Sequence, residues 1–233
     1  MPIIPFARWE PVSSHSGSMS AHHGLVLHVQ VGTGDCYGEF SVPANQASST
    51  WWVAKDGTLV QYVDSDLIAW TQAGGNSTWN GVETEGYPTE ALTNPQILTL
   101  ARIYVWGHQT YGWPLVMTDD VNGAGFIWHG AGSVAWGNHP NCPGDLRKAQ
   151  RGAVLYIASL VLAPPTPVFS SLPKEEEMHA VVMPNGDIKV YATGAGDRAG
   201  HLLEFTRHDA DQTNSVIDIT TQIGGSDPFT VQP

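Results

Sequence analysis

Gly125-Phe126-Ile127-Trp128-His129, followed by Trp136-Gly137-Asn138-His139-Pro140-Asn141-Cys142-Pro143-Gly144-Asp145, is the stretch around which the chain is organised. An apolar run ends in a histidine, and a cysteine stands just before Pro-Gly, so one loop brings an imidazole and a thiol together. Imidazole nitrogen and thiolate sulfur are ligands that zinc takes readily, and a catalytic zinc site uses three protein ligands and leaves a fourth position for water. A His-plus-Cys loop alone is more often structural. The third ligand comes from far upstream, where Leu25-Val26-Leu27-His28 forms another short run of β-formers that ends in a histidine.

The elements between these runs are read from local signals. Residues 1–20 are rich in Pro and Ser and read as irregular, with His15, His22 and His23 as surface residues. Ser48 to Val63 reads as a hairpin whose turn, Lys55-Asp56-Gly57-Thr58, carries the Asp-Gly signal. Asn80 to Glu85 is a further short strand in which a period of two puts Glu83 and Glu85 on one face. A helix follows: Thr93 caps it, Pro95 sits in its first turn, and Ile97, Leu100, Ala101, Tyr104 and Val105 repeat at helical spacing until Gly112-Trp113-Pro114. Asp145 is expected to cap a last helix through Leu160. Strands and helices mixed in this order predict an α/β (α+β) domain over residues 1–162, with a central mixed β-sheet flanked by helices.

Residues 163–177 read as a linker, first Ala163-Pro164-Pro165-Thr166-Pro167, which prolines hold extended, then the charged Lys174-Glu175-Glu176-Glu177. From residue 178 to 233 the pattern is of short strands, a small antiparallel β module, and the residues from 168 on carry half of the net negative charge. A module this small is marginal alone, so it is expected to pack on the first domain or self-associate.

Composition narrows the functional classes. The formal net charge of −12 argues against nucleic acid, whose binding rests on Lys and Arg neutralising phosphates. No run of eighteen apolar residues exists, so no membrane insertion is expected, and the N-terminus lacks a basic segment followed by a long apolar one, so no signal peptide is expected. Nine Trp is a high number; most are expected in the core, and the rest are suited to lining a sugar-binding groove. Two cysteines make no disulfide framework: with Cys142 as a metal thiolate, Cys36 is a free buried thiol, and a Cys36–Cys142 bridge is the rival reading.

Leu27-His28-Val29-Gln30-Val31-Gly32, Ser49-Thr50-Trp51-Trp52-Val53-Ala54-Lys55-Asp56-Gly57-Thr58, Gly81-Val82-Glu83-Thr84-Glu85-Gly86 and His129 followed by Cys142-Pro143-Gly144 occur in that order. Together they resemble the zinc-dependent N-acetylmuramoyl-L-alanine amidases, which are related in fold to peptidoglycan recognition proteins and are common in bacteriophage endolysins. The resemblance covers residues 20–162. It implies Zn²⁺ held by His28, His129 and Cys142, and hydrolysis of the amide between N-acetylmuramic acid and L-alanine in bacterial peptidoglycan. It carries an acid/base role to Glu83, with Glu85 left as a supporting or surface group. A phage lysin of this type would be made in the host bacterial cytoplasm without a signal peptide and reach the wall once the membrane is permeabilised, with the β module as a possible wall-binding element.

Two positions depart from the family pattern. Many relatives carry a Lys two residues before the third ligand as an oxyanion donor, and here that position is Pro140. Others have a Tyr seven residues before the Asp of the Asp-Gly turn, and here that position is Ser49. His139 is the nearest group able to replace the donor, and it also reads as a loop residue or a spare metal ligand. Two further readings stay open: a peptidoglycan-binding module of the same fold that has lost activity, and a closed structural zinc site that includes His139.

Overall fold

The computed structural model describes residues 2–163 in full and, beyond them, four strands by their backbone pairing alone. The chain divides into two compact units, Met1–Pro164 and Pro165–Pro233. Most of the proline-rich linker lies outside the described residues; Glu177, read as its last residue, opens a strand instead.

In the first unit the hydrophobic runs become the strands β3 (Gly24–Leu27), β4 (Trp51–Val53), β5 (Leu59–Gln61), β7 (Asn80–Thr84) and β8 (Gly125–Trp128). They join β1 (Arg8–Trp9) in a six-stranded sheet of order β1-β5-β4-β7-β3-β8. Four strands run parallel from β4 to β8, and the Asp-Gly hairpin makes β4 and β5 antiparallel, so the sheet is mixed. Gly57 has φ 88°, the left-handed turn conformation that a residue without Cβ adopts cheaply. A two-stranded ribbon of β2 (His15–Ser18) and β6 (Leu67–Ala69) stands beside the sheet.

Residues 1–20 are irregular except at β1 and β2. Their backbone groups pair with distant partners, Arg8 with Val60 and His15 with Ala69, and Ile4 is fully buried in the core. No periodicity within twenty residues signals such pairing, because its energy comes from strands fifty residues away. His15, His22 and His23 are partly exposed and lie outside the donor cluster described below; His22 stacks on Tyr111 with ring centroids 3.8 Å apart.

One face of the sheet packs on helices. Leu25, Leu27, Trp51, Val53, Val82 and Phe126 form the main core with Ile97, Leu100, Ala101 and Tyr104 of α2 (Asn94–Tyr111) and Val154, Leu155 and Ala158 of α4 (Arg151–Leu162). A short helix α1 (Tyr37–Phe40) lies between β3 and β4 in the chain. The start of α2 is a full capping box, in which Gln96 N–H donates to Thr93 Oγ1 and Thr93 N–H donates back to Gln96 Oε1. Its end is Gly112 at φ 75°.

The last helix differs from the sequence expectation. Asp145 does not cap it; Gly144 is the N-cap, at φ 98°, and Asp145 is the first helical residue of α3 (Asp145–Ala149). Helix α4 then starts anew after Gln150, whose side-chain amide exchanges two hydrogen bonds with the Leu92 backbone. A side chain at Gly144 would collide with the Pro88 carbonyl 2.0 Å away, so this close approach fixes a glycine where a polar cap was expected.

In the second unit β9 (Glu177–Val182), β10 (Ile188–Thr193), β11 (Leu202–His208) and β12 (Asn214–Asp218) form an antiparallel sheet in sequential order. This matches the strand alternation read from residue 178 onward. Among the described residues no helix is long and apolar enough to cross a membrane.

Candidate metal centre

The register of three parallel strands assembles the site. Leu27 on the central β3 pairs with Val82 on β7 and with Trp128 on β8. One residue further on, His28, Glu83 and His129 stand abreast at the carboxyl ends of the strands, where parallel sheets form their ligand sites. Alternation turns all three away from the face that packs on α2 and α4. The ladder still holds His28, whose N–H donates to the Val82 carbonyl at 3.0 Å. Cys142 arrives from the loop before α3; its Sγ accepts the Val29 N–H at 3.4 Å, and its carbonyl accepts the N–H of Gly130, next to His129.

His28, His129 and Cys142 bring three donor atoms within 4.8 Å of one another. His28 Nδ1 lies 4.0 Å from Cys142 Sγ, and the two imidazole centroids are 4.3 Å apart. In a tetrahedral zinc site, bonds of about 2.0–2.1 Å to nitrogen and 2.3 Å to sulfur put N and S about 3.6 Å apart, so the His28–Cys142 edge is a few tenths of an ångström from that separation. His129 Nε2 is 2.8 Å from the Trp136 carbonyl, which only accepts, so Nε2 carries the proton and Nδ1 is the free lone pair.

Burial sets the charge states. It holds His28 well below the usual imidazole range, helped by His129, and lowers His129 to about 4, so both rings are neutral, as ligands must be. It pushes the Cys142 thiol up to about 12, with the Glu83 charge adding to it and the Val29 N–H opposing. Glu83 is raised to about 8, again by burial, with Arg147 pulling the other way. The Glu83 side chain keeps 17 % exposure, yet its Oε2 is buried and has no hydrogen-bond partner, while Oε1 is 3.7 Å from His28 Nδ1. Two neutral imidazoles, a buried thiol and an unpaired carboxyl form a donor set that suits a soft divalent cation, which would stabilise the thiolate and the carboxylate together.

The other predicted residues fall into two groups. His139 is exposed and stacks on His129 with ring centroids 4.7 Å apart. It lines an open cleft of about 270 Å³ with Val29, Val31, Pro88, Asn138, Pro140, Asn141 and Cys142. His139 is not among the three clustered donors. Pro140 sits on the same rim and offers no N–H. Ser49 is fully buried, its hydroxyl held by the Trp51 and Gly81 carbonyls, and serves the sheet instead of the site. Glu85 is also structural: its carboxylate accepts the N–H groups of Gly34 and Lys55 at 3.0 and 2.8 Å, pinning two loops. Cys36 is a free, buried thiol, and Cys142 is free as well. Of the nine Trp, five are buried (Trp51, Trp52, Trp79, Trp113 and Trp136), and Trp128 braces the site loop, its ring against Gly130.

The sequence reading missed Arg147 and Thr84. Arg147 is fully buried under the site and donates to Thr84 Oγ1 at 2.7 Å and to the Glu85 and Glu90 carbonyls at 3.0 Å. Thr84 Oγ1 donates in turn to the carbonyl of His28. Helix α3 is thus tied through Thr84 to the backbone of His28, 119 positions earlier, by a single charged side chain. A basic residue after Pro-Gly-Asp carried no signal for this, since Arg is mostly exposed. Asn138 and Asn141 add two amides to the cleft that the sequence reading did not weigh.

Residues 18–145 match the family described as N-acetylmuramoyl-L-alanine amidase, a span that includes every residue placed at the site except Arg147. No curated protein sequence matches the chain. Among solved structures, the Staphylococcus aureus hydrolase AmiA, in complex with its ligand, aligns with TM-score 0.53 at 18 % identity, over 69 % of this chain and 85 % of that one. AmpD, as a selenomethionine derivative, aligns with TM-score 0.48 at 20 % identity over 66 % and 96 %. The endolysin amidase LysCS from Clostridium intestinale aligns with TM-score 0.48 at 14 % identity over 70 % and 99 %.

Proposed function

The chain belongs to the N-acetylmuramoyl-L-alanine amidase family, and from that premise we propose that it is a zinc-dependent peptidoglycan amidase of the phage endolysin type. The observation that carries the zinc reading is the triangle of His28, His129 and Cys142, three buried or half-buried donors within 4.8 Å that belong to three separate segments. A zinc ion held there supplies Lewis acidity and makes water acidic near neutral pH.

The chain's own residues do the rest. Glu83, 3.7 Å from His28 Nδ1 and poised near neutral pH by its burial, takes the proton of the attacking water and passes it to the leaving nitrogen. Water is added across the amide, leaving a carboxyl on the lactyl group of N-acetylmuramic acid and a free amine on L-alanine. His139 on the cleft rim presents a ring N–H to the oxyanion, in place of the donors absent at Pro140 and Ser49. The cleft, lined by Val29, Val31 and Pro88 with the amides of Asn138 and Asn141, takes an uncharged sugar-peptide junction by shape and hydrogen bonds. That suits a chain of net charge −12, which has no general attraction to an anionic wall. The role in host lysis, entry to the wall after membrane permeabilisation, and wall binding by residues 178–233 rest on the sequence resemblance and on the separate β unit.

A second reading, a peptidoglycan-binding domain without activity, is favoured by Pro140 and Ser49 alone. One experiment separates the two. Purified protein is assayed for metal content and then incubated with cell walls, and the released ends are identified by mass spectrometry. One zinc per chain, with new lactyl carboxyls and L-alanine amines that vanish on chelation, is expected. New reducing sugar ends would refute the amidase reading, and full activity after zinc removal would refute the zinc dependence. Stoichiometric zinc and wall binding without cleavage would establish the binding domain.

A further inference from the structure

Both ligand rings need their second nitrogen held, because the tautomer and ring angle of a metal-binding imidazole are set by what its other N–H meets. For His129 that partner is the Trp136 carbonyl. His28 has no such backbone partner: its Nε2 is buried and makes no hydrogen bond within normal limits. The group beside it is Gln72, itself 1 % exposed. Gln72 Oε1 is likewise buried without a partner.

The orientation of the Gln72 amide is fixed. Its Nε2 donates at 2.8 Å to the Trp79 carbonyl, which only accepts, so Oε1 must be the atom turned the other way. An amide oxygen only accepts as well, so opposite Oε1 the His28 ring must carry its proton on Nε2. Nδ1, the nitrogen 4.0 Å from Cys142 Sγ, is then left bare. The Gln72 backbone is also held, because the turn Ala73–Gly75 packs against the loop that carries Trp136: a Cβ at Gly75 would meet the Trp136 indole at 2.6 Å, and one at Gly74 would meet the Ala135 carbonyl at 2.7 Å. The orienting groups for the two histidines therefore belong to two turns packed on each other.

We propose that Gln72 is a positioning residue of the metal centre: its Oε1 accepts the Nε2–H of His28, selects the tautomer with a bare Nδ1, and aims that lone pair at the ion shared with His129 and Cys142. This rests on the zinc reading above and deepens it. His28 Nε2 and Gln72 Oε1 are both buried without a partner, and each supplies what the other lacks, a donor and an acceptor. Loss of such an outer partner typically weakens metal binding 10- to 100-fold.

The test uses the full chain and two variants. Gln72→Leu removes the acceptor at similar volume; Gln72→Glu keeps an acceptor oxygen. Long-range ¹H–¹⁵N NMR of the zinc-stripped wild type should show His28 as the Nε2–H tautomer. In Gln72→Leu a mixture of tautomers is expected, with the zinc dissociation constant, measured by chelator competition, raised about 10- to 100-fold; Gln72→Glu should restore the single tautomer and most of the affinity. An Nδ1–H tautomer in the wild type overturns the proposal, as does Gln72→Leu with zinc affinity within twofold of wild type. If Gln72→Leu does not fold, Gln72→Glu decides, since loss of the Nε2–H form there overturns it equally. If the wild type takes up no zinc, the zinc reading falls, and the tautomer still judges Gln72 separately.

Discussion

Replacing Glu83 with Gln should stabilise the zinc-stripped chain while abolishing most activity of the loaded enzyme. Burial raises the Glu83 carboxyl from 4.5 to about 8, so between those values the native state holds a proton that the unfolded state has lost. Stability then falls as pH rises across that window, being fully present below about 4.5 and lost by about 8. At pH 7 the difference spans about 2.5 units, and at about 1.36 kcal/mol per unit it amounts to about 3 kcal/mol. Gln is neutral at every pH and has no such loss. Urea unfolding of both proteins with chelator present, at pH 4 and pH 7, isolates the titration, because any fixed effect of the amide appears at both. The variant's advantage should grow by about 3 kcal/mol between the two. With zinc restored, the same variant should keep its metal and lose about 10²-fold or more in turnover, the usual scale for a general base. An advantage that does not change with pH would show that Glu83 is not held in a low-dielectric site, and turnover within a few-fold of wild type would remove its catalytic role.

Four further outcomes are expected. Cys142→Ser should bind zinc far more weakly than wild type, and full zinc occupancy with activity intact would remove Cys142 from the ligand set. His139→Ala should keep its zinc, since the ring stacks on His129 without joining the three donors, yet turn over at least about tenfold more slowly with little change in KM; zinc loss would make it a ligand, and wild-type kinetics a bystander. Arg147→Met should lower stability by about 3 kcal/mol, because it strips Thr84 and two backbone carbonyls of their buried donor, and Tm should drop by about 6–12 °C; a change under 2 °C would show that those acceptors find other partners. A chain ending at Pro164 should stay folded and zinc-loaded, since among the described residues the three core clusters lie within residues 4–158, but should sediment less with cell walls; unchanged sedimentation would free the β unit of a binding role.

What could be read from the sequence alone was whatever is encoded over a few residues. The Asp56-Gly57 turn, the Thr93 cap with Pro95 behind it, the Gly112 stop and the apolar runs ending in His28 and His129 are local signals, and each has its element in the fold. The clustered donors were legible for the same reason, since soft donor types at strand ends and before Pro-Gly are few in this chain. Tertiary structure alone decided what depends on distant pairing. Residues 8–9 and 15–18 became strands because Val60 and Ala69 were there to receive them. The single helix read from Asp145 to Leu160 is two, with Gly144 and Gln150 at their starts, and the Pro88 carbonyl leaves no room for a side chain at position 144. Glu83 and Glu85 share one face by alternation, yet one lies against a ligand histidine with Oε2 unpaired and the other is consumed by the Gly34 and Lys55 amides. Gln72 and Arg147 gave no sign at all, because a polar side chain reveals that it orients a ligand only when the fold has buried it and limited the partners it can reach.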